Sequence, residues 1–255
     1  MGWVAVLVVL SVAITLIAFR VLRRKGREEG AHGSSSVDFS ANIALAVYLL
    51  VLAYAAVLCR DNLSVTEVDV QAEAESLTEM YWAVAPVPEA APVRSQIRQY
   101  TAQSIDLDWP LMAGKTMSPI PGQTLADART TLLRLRPVGD EARNLQQNAL
   151  DRVSEISHAR IIRGDDASTG LESIFVISMI VSGLLVIILP WTHGIRPTRS
   201  SMIGDLVRVS VVVIGVCFIT LISHPFSGLG AVGPDAFQAA QREYDHIDGR
   251  FPSQP

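Results

Sequence analysis

The stretch LESIFVISMIVSGLLVIILPW, residues 171–191, opens on one charge, Glu172, and carries none after it. A helix needs about 20 predominantly apolar residues, within a range of ~17–25, to cross the hydrocarbon core of a bilayer. This stretch meets that length, and three others resemble it. Residues 3–22 are interrupted only by Arg20, residues 40–59 only by Asn42 near the start, and residues 206–223 only by Arg208 one turn in. Backbone in lipid must satisfy its own hydrogen bonds, so these are helices rather than open strands. The pattern predicts an all-α membrane protein with four transmembrane helices. A helical polar domain, residues 60–170, is inserted between spans two and three. A basic loop (23–39), a short loop (192–205) and a Pro/Gly turn with a tail helix (224–255) complete the chain.

The composition of the 255 residues agrees. Hydrophobic residues make up 49% and charged residues 18%, against about 25% charged in a soluble domain. Two cysteines are too few for a disulfide-stapled secreted module. A formal charge of -4 gives no basis for nucleic-acid binding.

Lys and Arg near the spans set the expected orientation. Arg20, Arg23, Arg24, Lys25 and Arg27 follow the first span, and Arg196 and Arg199 follow the third. On the opposite side only Arg60, Arg160 and Arg163 lie close to a span. Both short loops are therefore expected in the cytoplasm, with the N-terminus, residues 60–170 and the tail outside. The basic cluster follows the first span instead of preceding it, the reverse of a cleaved signal peptide. Arg208 is placed to pair with Asp205 at i, i+3.

Residues 60–170 hold 11 Lys and Arg against 16 Asp and Glu. Leu63, Val65, Val68, Leu77, Met80 and Tyr81 begin a segment that continues the second span, and Val93, Ile97, Tyr100 and Ile105 extend the helical period. Pro110 is expected to end or kink that helix. Residues 117–122 read as a loop, Thr124 as the N-cap of a helix closed by Pro137, and a further helix runs from about Asp140 to Ile161. Residues 165–170 read as a turn. Thr169 and Glu172 fit a capping box that launches the third span.

Few residues invite chemistry. Gly228, Gly230 and Gly233 match G-x-G-x-x-G, but a membrane span precedes them and Pro234 follows, so a glycine turn fits better than a dinucleotide fingerprint. None of His32, His158, His193, His224 and His246 pairs with another at helical spacing, so no helix face offers zinc two imidazoles. Asp245, His246 and Asp248 form an acidic edge on the tail helix, and Glu73, Glu75 and Glu79 read as a solvated helix face. Cys59 and Cys217 behave as small hydrophobes. No Asp, Glu, Lys, Arg or His stands in the middle of a span, which argues against a proton-coupled transporter but leaves a channel gated by apolar constriction open. Small residues in span two (Ala41, Ala44, Ala55) and span three (Ser178, Ser182, Gly183) read as helix packing ahead of a pore lining.

Three segments then resemble the bacterial bestrophin-like domain family over about residues 40–250. The first is Glu73-Ala-Glu-Ser-Leu-Thr-Glu-Met-Tyr81. The second is Asp108-Trp109-Pro110-Leu-Met-Ala-Gly114, similar to that family's acidic-Trp-Pro signature, with Asp108 where Glu is usual. The third is His224-Pro225-Phe226-Ser227-Gly228 with Pro234-Asp235-Ala-Phe237, where His224 replaces an expected Arg or Asn. The resemblance implies a distant likeness to bestrophins, pentameric anion channels that place Pro-Phe-Gly after their last span and keep the helical region in the cytosol. That arrangement would invert the orientation drawn from the basic residues. The motif residues also have local roles: Pro225 and Pro110 stop helices, Trp109 suits an interface, and Gly228 permits a turn that folds Phe237, Ala240, Tyr244 and Ile247 back onto the central helices.

The expectation is a non-enzymatic protein of the cell membrane, of the bacterial inner-membrane type, that forms a homo-oligomer. Its environment is the lipid bilayer, inorganic anions are the candidate permeating partners, and no cofactor, metal or nucleic acid is expected. The alternative is a membrane-anchored interaction or sensor module that binds through residues 60–170.

Overall fold

The computed structural model describes residues 34–189 and 199–252. The expected first span, most of the basic loop, the end of the third span and most of the loop 192–205 lie outside them. Every regular element among the described residues is helical, and three stretches hold windows apolar enough to cross a membrane: Phe39–Val84, Asp140–Ile188 and Gly204–Ile222. The chain divides into two compact units. Residues up to Arg60 group with Leu171–Ser223, and Asp61–Gly170 group with the segment from His224 onward. The tail thus belongs with the central polar region.

Helix α1 (Ser34–Val84) runs unbroken through both units, as the apolar period expects. No Gly or Pro interrupts it until Pro86, and those two residues are the ones that cost a helix interior most. In the apolar unit its first half packs with α6 (Ser173–Ile188) and α7 (Arg199–Ile222). The centre is Tyr48, whose hydroxyl donates to the Val212 carbonyl at 2.8 Å. Two glycines make room around it. A Cβ at Gly183 would stand 2.9 Å from Val212 Cγ1, and one at Gly215 would collide with the Tyr48 hydroxyl and Leu52. Gly183 and Ser182 are buried in this contact, as the packing reading of span three requires, whereas Ser178 is exposed. Ser182 returns its hydroxyl to the Ser178 carbonyl, 2.7 Å away, so the polar atom is satisfied within its own helix. Arg208 reaches Asp205 at 3.2 Å, as expected, and also Asn42 at 3.3 Å.

The polar unit continues α1 and adds α2 (Ala91–Gln103), α3 (Trp109–Met112), α4 (Pro119–Arg134), α5 (Asp140–Ser168) and α8 (Asp235–Arg250). Its core joins Leu77, Met80, Ile97, Leu132, Ile156 and Phe237, each 0–1% exposed. Phe237, Ala240, Tyr244 and Ile247 form the buried face of α8, so the tail folds back as read.

Several boundaries differ from expectation. Of the two outcomes expected at Pro110, an end or a kink, the helix does not end at the proline itself: the ladder widens into a π-turn over Ser104–Asp108, resumes as α3 and stops at Met112. A proline clashes with the carbonyl four residues back, and a wider turn relieves that clash. Helix α4 starts at Pro119, inside the expected loop, because Ser118 caps it by accepting from the Ile120 N–H and proline is tolerated in a first turn. Thr124 is therefore interior, donating to Gln103 Oε1 at 2.7 Å. Helix α5 runs to Ser168, through the expected turn, and Thr169 is its C-cap. The capping box does not form, since α6 begins after Glu172 and takes no side-chain cap.

Candidate functional site: a buried ionic cluster

The buried stripe of α1 advances by alternating steps of four and three through Thr66, Val70, Glu73, Leu77 and Met80. A carboxylate thus occupies a core position. The inner stripe of α5 does the same through Val153, Ile156, the half-buried Arg160, Arg163 and Ala167. An isolated buried charge costs several kcal/mol, so each must find a partner.

They find one another. Arg163 Nε donates to Glu73 Oε2 at 2.7 Å, and Nη2 to Oε1 at 3.1 Å, with both side chains 0% exposed. The Tyr100 hydroxyl donates to the same Glu73 Oε1. Asp108, at the end of the π-turn, is equally buried and takes Arg160 at 2.5 Å and Arg163 at 3.5 Å. The Ser118 N–H donates to Asp108 Oδ1 at 3.0 Å, while Arg160 Nη2 donates to the Ser118 carbonyl at 2.7 Å. Two carboxylates thus face two guanidiniums, with no formal charge left over. Burial, reinforced by the Glu73 charge, pushes the Tyr100 phenol up, so it stays protonated and donates.

The motif residues stand beside this cluster. The Arg163 guanidinium lies 5.0 Å from the Trp109 ring and 5.1 Å from that of Phe237, a cation–π arrangement. Trp109 meets Phe237 edge-on at 4.9 Å and Phe226 at 6.3 Å. Its Nε1 donates to the Val232 carbonyl at 3.1 Å, and the Val232 N–H donates to the Pro225 carbonyl at 2.8 Å. Asp108, Trp109, Pro225 and Phe226 are therefore brought together, while Pro110, Gly114 and Gly228 are exposed. Ser227 closes a turn onto the His224 carbonyl at 3.3 Å. Burial, then the Lys115 charge, pulls the His224 imidazole below its ordinary value. Gly228 and Gly230 have φ of 93° and 76°, which makes the glycine motif a turn, as read, and it leads into α8.

Two acidic groups depart from expectation. Glu75 and Glu79 are exposed, but Glu73 on the same helix is fully buried, so the run is not one solvated face. The acidic edge of the tail helix faces arginines: Asp248 pairs with Arg94 at 3.1 Å and Arg98 at 2.8 Å, and Asp245 with Arg98 at 2.9 Å. Tyr81 donates to Asp248 and stacks on Tyr244 with ring centroids 4.4 Å apart. Both cysteines are free, and no group of three metal-ligating side chains stands together among the described residues. In the sequence Tyr100 reads only as a step of the helical period, and Arg160 and Arg163 only as charges near a span. The available signal was their register, since each charge falls on a buried stripe.

Such a cluster is built to hold helices. Every charge has a close counter-charge, and hydrogen bonds occupy the carboxylates, so neither Glu73 nor Asp108 is placed as a free base or nucleophile.

A family model described as "Bestrophin-like domain" matches residues 5–237. The fold is similar to that of a bacterial bestrophin homolog from Klebsiella pneumoniae. One crystal structure of that protein, a point mutant, aligns with a TM-score of 0.52 at 14% identity, over 97% of this chain and 98% of that one. A second, phased on zinc, aligns at 0.51 and 13% identity over 99% of each chain. No curated protein matches the sequence.

Proposed function

This chain belongs to the Bestrophin-like domain family, and on that premise we propose that it is a non-enzymatic, homo-oligomeric protein of the cell membrane that conducts inorganic anions. The observation behind the reading is that the family match covers both units, the apolar helices and the polar unit alike. The apolar windows support assembly: only 17–22% of each is buried within one copy, leaving wide faces for lipid and for neighbouring copies. A channel between copies needs no catalytic group and no charge inside a span, and the fully paired cluster around Glu73 suits a rigid scaffold. Orientation follows the basic residues, with the N-terminus and the polar unit outside.

The test is the mass of the full chain, purified in detergent and measured by light scattering. Several copies per particle support the reading. A particle holding a single chain overturns it, because no pore could then form between subunits.

A further inference from the structure

Two features of the polar unit are left unused by the buried cluster, and they complement each other. The first is a groove along α1 from Gln71 to Ala83, about 18 Å at ~1.5 Å per residue. One part is a cleft of about 690 Å³ between α1 and α8, and the other a cleft of about 480 Å³ between α1 and α5; Glu79 and Arg152 line both. The floor includes Ala72, Ala74, Ala236, Ala239 and Ala240, and small side chains let another element approach closely. The walls carry Glu75, Glu79, Asp151, Glu155 and Glu243 against one cation, Arg152. Arg152 is already engaged with Glu155 at 2.7 Å, and Glu79 and Glu243 have no ion pair among the described residues.

The second is the corner between α4 and α5. It exposes four arginines, Arg129, Arg134, Arg136 and Arg143, beside three acids, Asp127, Asp140 and Glu141, and its basic excess lies at Arg134 and Arg136. Only Arg143 has an ion pair among the described residues, with Asp140 at 2.9 Å. The same corner leaves Leu133 57% and Val138 88% exposed. Gly139, at φ 98°, turns the chain there and lets Val138 project.

We infer that the α4–α5 corner of one copy docks into the acidic, alanine-floored groove of α1 in a second copy. Leu133 and Val138 cover the floor, and the arginines meet the carboxylates of the walls. This rests on the homo-oligomer reading and says where that assembly makes contact. Opposite charge on the two faces favours this partner over a like-charged one. A face that meets a different face of the next copy builds a ring when the rotation between copies closes and an open filament when it does not.

The test uses the full chain in detergent, with mass read by light scattering and folding by thermal melting. One variant reverses the groove (E75R/E79R), one reverses the corner (R134E/R136E), and one combines all four changes. The expected result is that each reversal alone lowers the particle to a single chain with an unchanged melting temperature, and that the combined variant regains the wild-type mass. If E75R/E79R keeps the wild-type mass, the contact is overturned while the oligomer stands. That holds also where the variant sheds a basic partner protein instead. If both reversals dissociate but the combination fails to reassemble, the pairing of these two faces is wrong. A wild-type particle of one chain would overturn both this contact and the reading beneath it.

Discussion

The apolar unit and the polar unit are both helical, yet they are specified in opposite ways. In the apolar unit the decisive positions are small: Gly183 and Gly215 admit Tyr48, and one hydroxyl bonds one carbonyl across helices. In the polar unit they are large and charged: Glu73, Asp108, Arg160 and Arg163 stand where a simple core would put aliphatic side chains. Lipid removes the hydrophobic drive between helices, so close approach decides there. In the polar unit burial supplies the drive, and a buried ion quartet restricts which helices pair, since an unmatched charge is expensive.

That contrast can be broken by substitution, with thermal melting of the detergent-purified chain as the readout. Glu73→Ala leaves Arg163 buried without its carboxylate and is expected to cost about 3–5 kcal/mol. Glu73→Met combined with Arg163→Met removes both charges and should recover most of that loss; if the pair is no better than the single change, the cluster matters for something other than charge balance. Next in size is the apolar unit: Gly215→Val overpacks Tyr48 and Leu52 and should cost about 1–3 kcal/mol. Trp109→Phe keeps a ring against Phe226 and Phe237 but loses the bond to the Val232 carbonyl, for about 1 kcal/mol.

The smallest effects depend on pH. Burial opposes the charge on Asp248, but hydrogen bonds from Tyr81 and Arg98 and the charges of Arg98 and Arg94 outweigh it and hold the carboxyl below the usual range. Its contribution is present above an unfolded value of about 3.9 and lost as pH falls through the lower folded value. Asp248→Asn should therefore melt lower than wild type at neutral pH and converge with it in acid. Asp166 runs the other way. Burial, with Asp69 and Asp165 nearby, raises it, so its contribution is present in acid and lost as pH rises through the folded value. Asp166→Asn should melt above wild type at neutral pH, with the gap closing below about pH 4.

Local features were legible in the sequence. Three apolar windows, the unbroken α1 without Gly or Pro, the return of α8 through Phe237 and Tyr244, and the Arg208–Asp205 pair all follow from spacing alone. The π-turn before Pro110 and the cap at Ser118 were not, because both depend on how a proline is accommodated once its neighbours are packed. Least legible was the cluster. Hydropathy assigns Glu73 to solvent, and only Arg163, 90 residues further along, reverses that. The motif resemblance did mark Glu73 and Asp108 in the cluster, and Trp109, Pro225 and Phe226 packed next to it, but it gave no hint of the arginines themselves.

Chloride efflux from liposomes reconstituted with the full chain is the decisive measurement of anion conduction. The expected result is a chloride flux that protein-free liposomes lack and that exceeds the flux of a bulky organic anion. Reconstituted, oligomeric protein that releases no chloride above the protein-free background would rule conduction out.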